Sequence, residues 1–336
     1  MTDAPRPLVA CLGEDTPAWH TKMLNLALSL RRFGGAMADA PMLAHVVESA
    51  APEFVSELDR LHVECRVVER MDPRLPTSNK LRMLELERDD FDVLVMLDCD
   101  VIIRGDLSLE LDPRSLRAAP AGRTHLNDAA WERLYARLEL PLPTRRCVTA
   151  VTGEQSYPYW NSGVLFVPRE HCAPLRDAWA AMIDRVFEIA SDDRAIGVFR
   201  KDQIPFACAL AATQIDVREL PIKLNLSIRS PERARQQPEW GPPFVFHYHH
   251  AIDAEGFVGP ASDDDVAGFL QDFNRSRAEY FGLTYHAEKA SAHGTASSLR
   301  RRALATSFGW RIKRGTKQLR RKLRNVRRNR HVGRRE

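Results

Sequence analysis

The sequence lacks any run of about 18 consecutive apolar residues, the length a helix needs to span a bilayer, so no transmembrane helix is expected. Its first ten residues, M-T-D-A-P-R-P-L-V-A, lack the basic-then-apolar pattern of a secretory signal. There is no C-x-x-C pair. The 6 cysteines (Cys11, Cys65, Cys99, Cys147, Cys172 and Cys208) are scattered, several inside apolar runs. Such spacing speaks against a zinc or disulfide framework and for buried, reduced thiols in a cytosolic protein. No internal repeat is visible. Acidic residues are nearly missing from the last stretch: residues 300–336 hold 16 of the 49 Lys and Arg but one of the 45 acids.

What is present describes an ordinary globular protein. The 336 residues are 44% hydrophobic, 28% charged and 8% aromatic, enough for one large domain or two modest ones. The net charge of +4 conceals an asymmetry. The last 37 residues carry +15, while the rest, with 33 bases and 44 acids, carries −11. A mildly acidic body joined to a strongly basic tail suggests two separate jobs.

Strands and helices alternate through the first hundred residues. Residues 8–12 read as a strand, 19–33 as a helix ending at Gly34-Gly35, 42–47 as a strand, 52–61 as a helix and 62–68 as a strand. Thr77 or Ser78 is placed to cap a helix to about Arg88, and 93–97 is a strand. This order indicates a mainly parallel sheet with right-handed crossovers. Further on, 127–138, 175–190, 202–212 and 263–281 read as helices. Residues 163–167, 215–220 and 244–247 read as strands, and 145–159 as a loop.

The most informative stretch is V-L-V-M-L-D-C-D-V-I-I, Val93 to Ile103. Asp98 and Asp100 stand at the end of a strand buried on both faces, with three more apolar residues behind them. Two acids there are costly unless something positive meets them. The carboxyl end of a parallel strand is where an open α/β sheet places its ligand, and a divalent cation bridging to phosphate is the simplest occupant. Strand alternation would point both acids to one side, with Cys99 opposite. Three other segments attract notice. Tyr157-Pro158-Tyr159-Trp160-Asn161-Ser162-Gly163 reads as a turn, or as an amide and aromatic face for sugar hydroxyls. Lys201-Asp202-Gln203 precedes an apolar helix, which Asp202 would cap for about 1 kcal/mol. His247-Tyr248-His249-His250 follows the last strand, and a neutral imidazole can complete a carboxylate site.

In this order (Asp98-Cys99-Asp100, Asn161-Ser162-Gly163-Val164, Asp202-Gln203, Leu220-Pro221-Ile222-Lys223-Leu224-Asn225, His247) the motifs resemble those of family 8 glycosyltransferases, the glycogenin-like and bacterial lipopolysaccharide group. The resemblance covers about residues 8–282. It implies a GT-A fold, Rossmann-like with a mainly parallel sheet flanked by helices, and Mn²⁺- or Mg²⁺-dependent transfer of a hexose from a UDP-sugar, usually with retention. It makes Asp98, Asp100 and His247 metal ligands, with Asp98 also at the ribose. Lys80, Asn161, Ser162 and Asn225 become donor-binding residues, and Glu14, Asp15 and Thr16 fall beside the base and ribose. Asp202 and Gln203 become catalytic, with Gln203 near the anomeric carbon. The family often follows its late histidine with a Gly and a Lys-Pro-Trp that clamps the diphosphate. Here H-Y-H-H-A-I-D-A-E-G-F stands instead. Another base, such as Lys223 or Arg229, would then hold the diphosphate, and either His247 or His249 the metal.

In the tail Leu304, Phe308, Ile312, Gly315, Leu319, Leu323 and Val326 recur at 4-4-3-4-4-3, a stripe of about 100° among basic residues. This is the pattern of an amphipathic helix lying on an anionic membrane surface. No nucleic-acid reader motif accompanies the charge. The division expected is a glycosyltransferase domain at 1–285, a linker at 286–299 and a basic tail at 300–336. The enzyme would be cytoplasmic, peripheral on the inner membrane face, acting on a glycan or lipid-linked acceptor. Two alternatives remain: a sugar-phosphate nucleotidylyltransferase, opposed by the acidic segment after strand one, and a non-catalytic glycan- or nucleic-acid-binding protein acting through its tail.

Overall fold

The computed structural model describes residues 4–73, 75–193, 195–196, 202–228, 243–261 and 263–286. The chain divides into two units, Met1–Leu283 and Thr284–Glu336, and every element described lies in the first. The basic tail falls outside the described residues, as do Lys201 and Arg229. In chain order the elements are β1 (Pro7–Glu14), α1 (Pro17–Phe33), β2 (Met42–Val47), α2 (Pro52–Arg60), β3 (Val63–Val68), β4 (Val93–Asp98), β5 (Val101–Ile103), β6 (Leu116–Pro120), α3 (Asp128–Arg137), β7 (Cys147–Val148), β8 (Gln155–Ser156), β9 (Trp160–Pro168), α4 (Arg169–Asp192), α5 (Gln203–Thr213), β10 (Val217–Glu219), β11 (Leu226–Ser227), β12 (Val245–His247) and α6 (Asp264–Phe281).

Seven strands form the main sheet in the order β10-β6-β9-β4-β1-β2-β3. The β1–β2, β2–β3 and β1–β4 pairs are parallel, as the alternation of strands and helices indicates. Strand β9 departs from it, running antiparallel to both β4 and β6. It is buried from Ser162 to Pro168. A strand covered on both faces shows no alternation, so its composition does not carry its direction. Apolar side chains pack on both faces of the sheet. Leu94, Met96, Leu165 and Val167 belong to one core, and Val93, Val95, Leu97, Val164 and Phe166 to the other.

Pro17 opens α1 and Gly34 follows its end. Residues Met23 to Leu30 are all buried, because the main sheet lies on one side of the helix and the second sheet and α6 on others. Its two polar members are satisfied by hydrogen bonds. Ser29 Oγ donates to Leu26 O and accepts from Ile103 N, and Asn25 Nδ2 donates to Gly256 O.

Several expectations are revised. The segment after Thr77 is a 3₁₀ turn over Pro76–Leu84 rather than a helix to Arg88, and neither Thr77 nor Ser78 caps it. Asn161, Ser162 and Gly163 lie within β9 rather than in a turn. The segment 145–159 contains the β7–β8 hairpin. Strand β6 gave no clear sequence signal, being L-R-A-A-P. All 6 cysteines are free.

Candidate active site

The site begins where β4 stops. Asp98 is the last residue of β4, and Cys99-Asp100 form a turn. Strand β5 then leaves the main sheet to pair antiparallel with β12 in a three-stranded sheet, β11-β12-β5. The chain therefore does not carry strand alternation through Asp100, and the two acids meet different partners.

Asp98 meets Lys80, brought by the 3₁₀ turn. Lys80 Nζ lies 2.7 Å from Asp98 Oδ1 and 3.3 Å from Asp202 Oδ2, and it donates to Ser162 Oγ at 3.1 Å and Ser162 O at 3.3 Å. Ser162 Oγ in turn donates to Asp202 Oδ2 at 2.5 Å. Burial alone would lower the lysine pKa. The carboxylates of Asp202 and Asp98 outweigh it, so the ammonium pKa is raised and Lys80 stays charged. One cation thus ties β4, β9 and the start of α5 together. Asp202 is consequently no helix cap. Its backbone is already helical and its side chain caps nothing, so the 1 kcal/mol reading of that residue is withdrawn.

Asp100 meets two imidazoles. His247 Nδ1 is 3.6 Å from Asp100 Oδ1, and His249 Nδ1 is 3.7 Å from Asp100 Oδ2. Strand pairing places His247 opposite Val101, and Tyr248 N donates to Asp100 O at 3.0 Å. His249 follows with φ +53°; its Nε2 lies 3.2 Å from Ser227 Oγ. The two rings stack with centroids 5.5 Å apart. The Asp–His separations are too long for hydrogen bonds but match ligands of one ion, which at metal–ligand distances of about 2.0–2.2 Å stand roughly 3–3.7 Å apart. Asp100, His247 and His249 each offer a ligand atom, all within 4.8 Å of one another. His247 Nε2 is buried with no hydrogen-bond partner among the described residues. Burial would raise the Asp100 pKa; the imidazoles of His247 and His249 overcome it and hold the carboxyl well below its usual range. Asp98 stands outside this group of three, engaged by Lys80. The sequence left His247 and His249 as alternatives, and both face Asp100.

Between the two halves lies Gly163. A Cβ there would sit 2.6 Å from Asp98 Oδ2, 2.7 Å from His247 Cε1 and 3.0 Å from Asn161 Oδ1. Its role is close approach rather than positive φ, a reason sequence reading assigned to turn chemistry. Asn161 Oδ1 accepts from Gly163 N at 2.7 Å.

A cavity of about 290 Å³ opens over these groups, lined by Lys80, Asp98, Asp100, Asp202 and Gln203, and on the α1 side by Glu14, Trp19 and Lys22. The last two gave no signal in the sequence beyond a helical segment. Other expected residues do not line it. Asp15 accepts from Ser49 Oγ and Ala51 N, and its carboxylate lies 2.7 Å from His20 Nε2. Thr16 is the exposed residue ahead of α1. Asn225 stands just ahead of β11, whose Ser227 is the register partner of His247, and its Oδ1 is buried without a partner among the described residues. Lys223 lies over the Phe244 ring, 4.9 Å from its centroid.

A sheet of this order, with paired acids ending its central strand beneath a charged cavity, is the GT-A architecture of glycosyltransferases, and the chain is an enzyme that transfers sugar. The sequence profile of a Rhodobacterales glycosyltransferase domain matches residues 14–213, and the chain belongs to that family. The match sets aside the nucleotidylyltransferase and non-catalytic alternatives. No curated protein matches the chain. Similar solved structures include the glycosyltransferase GlyE of Streptococcus pneumoniae TIGR4, 15% identical over 83% of this chain and 66% of that one, with a TM-score of 0.48. The bifunctional glycosyltransferase WbbM is 14% identical over 82% of this chain and 50% of its own, with a TM-score of 0.50. An active-site mutant of LgtC is 15% identical over 83% of this chain and 97% of its own, with a TM-score of 0.47. The chain thus spans just under two thirds of GlyE and half of WbbM. At these identities the likeness is one of fold.

Proposed function

We propose that this enzyme moves a hexose from a nucleotide sugar, a UDP-sugar, to a glycan or lipid-linked acceptor, with a divalent cation and retention at the anomeric carbon, as in family 8. The observation that carries the reading is one cavity lined by Asp100, which faces two imidazoles, and by a lysine-bridged pair of acids. Asp100, His247 and His249 would hold the cation, with Asp98 turned to the ribose. One carboxylate with imidazole nitrogens suits Mn²⁺ better than Mg²⁺, which prefers oxygen alone. When bound, the cation neutralises charge on the departing diphosphate.

Asp202, bridged by Lys80 and Ser162, is suited to orienting sugar hydroxyls, because a carboxylate shared with an ammonium and a hydroxyl is a poor nucleophile. Gln203, at the start of α5, presents a neutral amide dipole where the sugar gains positive character. Asn161 would help to bind the donor sugar from the edge of β9. Asp15, Thr16 and Asn225 remain in the proposal only as supports of the base- and ribose-binding loops.

The division into a transferase domain at 1–285, a linker at 286–299 and a membrane-binding tail at 300–336 belongs to the same proposal. So does a cytoplasmic enzyme resting on the inner membrane face. Its support is the +15 charge of the tail.

The test is calorimetry with UDP-, GDP- and dTDP-sugars and Mn²⁺, on the natural chain and on Asp100→Asn. One donor should bind in a metal-dependent way, at least about tenfold weaker in the variant. Equal affinity without metal dependence would overturn the reading.

A further inference from the structure

The cavity holds two lysines, and only one is spent. Lys80 directs its ammonium at Asp98, Asp202 and Ser162, which uses the three donors an ammonium has. Lys22 lines the same cavity. It makes no ion pair or hydrogen bond among the described residues; its Nζ lies 5.0 Å from the centroid of the Trp19 ring. Trp19 and Lys22 are three residues apart on α1 and so share a face. The indole lies close against β1 because residue 13 is glycine. A Cβ at Gly13 would collide with Met23 Sδ and stand 3.2 Å from Trp19 Cε3. Glu14, the nearest acid in sequence on that wall, is already paired with Arg70 at 2.9 Å.

A half-buried cation without a partner among the described residues, at the edge of an acidic cavity, is a place for an anion. The same cavity is lined by Asp100, the carboxylate that faces two imidazoles. An anion with one end at that group and the other at Lys22 carries charge at both ends, as a diphosphate does.

We infer that Lys22, seated on Trp19, binds the diphosphate of the nucleotide sugar opposite the Asp100–His247–His249 group. The inference rests on the nucleotide-sugar reading above. It assigns to the first helix a cation for which the sequence offered Lys223 or Arg229, both ahead of the last strand. A mobile ammonium on a flexible stem suits a point-charge contact to phosphate oxygens.

The test is titration calorimetry of UDP, UMP and inorganic pyrophosphate, each with Mn²⁺, on the full chain and on Lys22→Gln and Lys22→Arg. Loss of one charge-assisted contact predicts UDP and pyrophosphate binding about 10- to 100-fold weaker in Lys22→Gln. The loss for UMP should be smaller, Mn²⁺ affinity unchanged and most affinity kept in Lys22→Arg. Unaltered binding of UDP and pyrophosphate in Lys22→Gln would overturn the inference, as would an equal loss for UMP and UDP. If the natural chain binds neither UDP, GDP nor dTDP with Mn²⁺, the nucleotide-sugar reading itself fails. If it binds one of them and Lys22→Gln matches it, only the role of Lys22 fails. Among the described residues Lys22 makes no ion pair or hydrogen bond, only the contact with the Trp19 ring that glutamine loses, so the melting temperature should change little.

Discussion

At the scale of single residues, the two aspartates of the central strand have separated roles because a turn intervenes. Asp98 ends β4 and shares Lys80 with Asp202, while Asp100 looks toward the histidines of β12 and the turn after it. Gly163 lets these halves approach. Gly163→Ala should cost about 1–3 kcal/mol of stability as an overpacked contact. Because the Cβ would push on Asp98 and His247 together, sugar-transfer activity should fall by about 100-fold or more. Donor turnover compared with the urea midpoint separates the two effects. A second residue sets a pH response away from the site. His45 is fully buried on β2, and neither ring nitrogen has a hydrogen-bond partner among the described residues. Burial and then the Arg66 cation push it down to about 4, against a weaker opposing pull from the Cys11 backbone. In the unfolded chain it titrates near pH 6.5. Between those values the unfolded chain holds the extra proton. The folded state therefore keeps its full stability above about pH 6.5 and loses it as pH falls toward 4, by about 3 kcal/mol. His45→Leu should flatten the difference between urea unfolding at pH 7.5 and at pH 5.

At the scale of elements, the site depends on strands that change sheets. The β4 chain turns at Cys99 and continues as β5, which sets the register of β12 and delivers His247 beside Asp100. Behind this exchange, α1, the segment after β12 and α6 are joined by one guanidinium. Arg277 on α6 donates to the Glu255 carbonyl from Nε at 3.1 Å and from Nη2 at 2.9 Å, and to Asn25 Oδ1 on α1. Gly256, at φ +87°, leaves room for it, since a Cβ there would collide with Arg277 Nη2. Arg277→Ala should cost about 2–4 kcal/mol, because buried acceptors lose their donor. Arg277→Lys should recover little, since an ammonium lacks the planar fork. Urea unfolding of the two variants tests this.

At the scale of the whole molecule, the chain has an acidic body that folds around two apolar layers and a basic terminal stretch with charge of the other sign. Each basic residue near an anionic bilayer contributes on the order of 1 kcal/mol. Deleting residues 287–336 should therefore abolish sedimentation with phosphatidylglycerol vesicles and leave metal-dependent nucleotide binding and the melting temperature nearly unchanged. Retained sedimentation would show that the body binds the membrane.

The amino-acid order by itself determined the alternating strands and helices as far as Val68, because amphipathic period and end signals are local; the helix expected after Thr77 is a 3₁₀ turn. The strand boundaries of β2 and β3 and the extents of α1 and α6 follow it within two residues. It also placed the charged motifs in an order that names a glycosyltransferase, since each motif is a short run of residue types. Tertiary structure alone decided what each charge faces. Lys80 reaches Ser162, 82 positions away along the chain, and Asp202 further still, and no local rule extends that far. The direction of β9, the pairing of β12 with β5 and the presence of both histidines at Asp100 are long-range registers. Lys22 could be read in the sequence only as a polar position on a helix. Its place in the cavity, with no ion pair among the described residues, exists only once α1 has packed against the sheet.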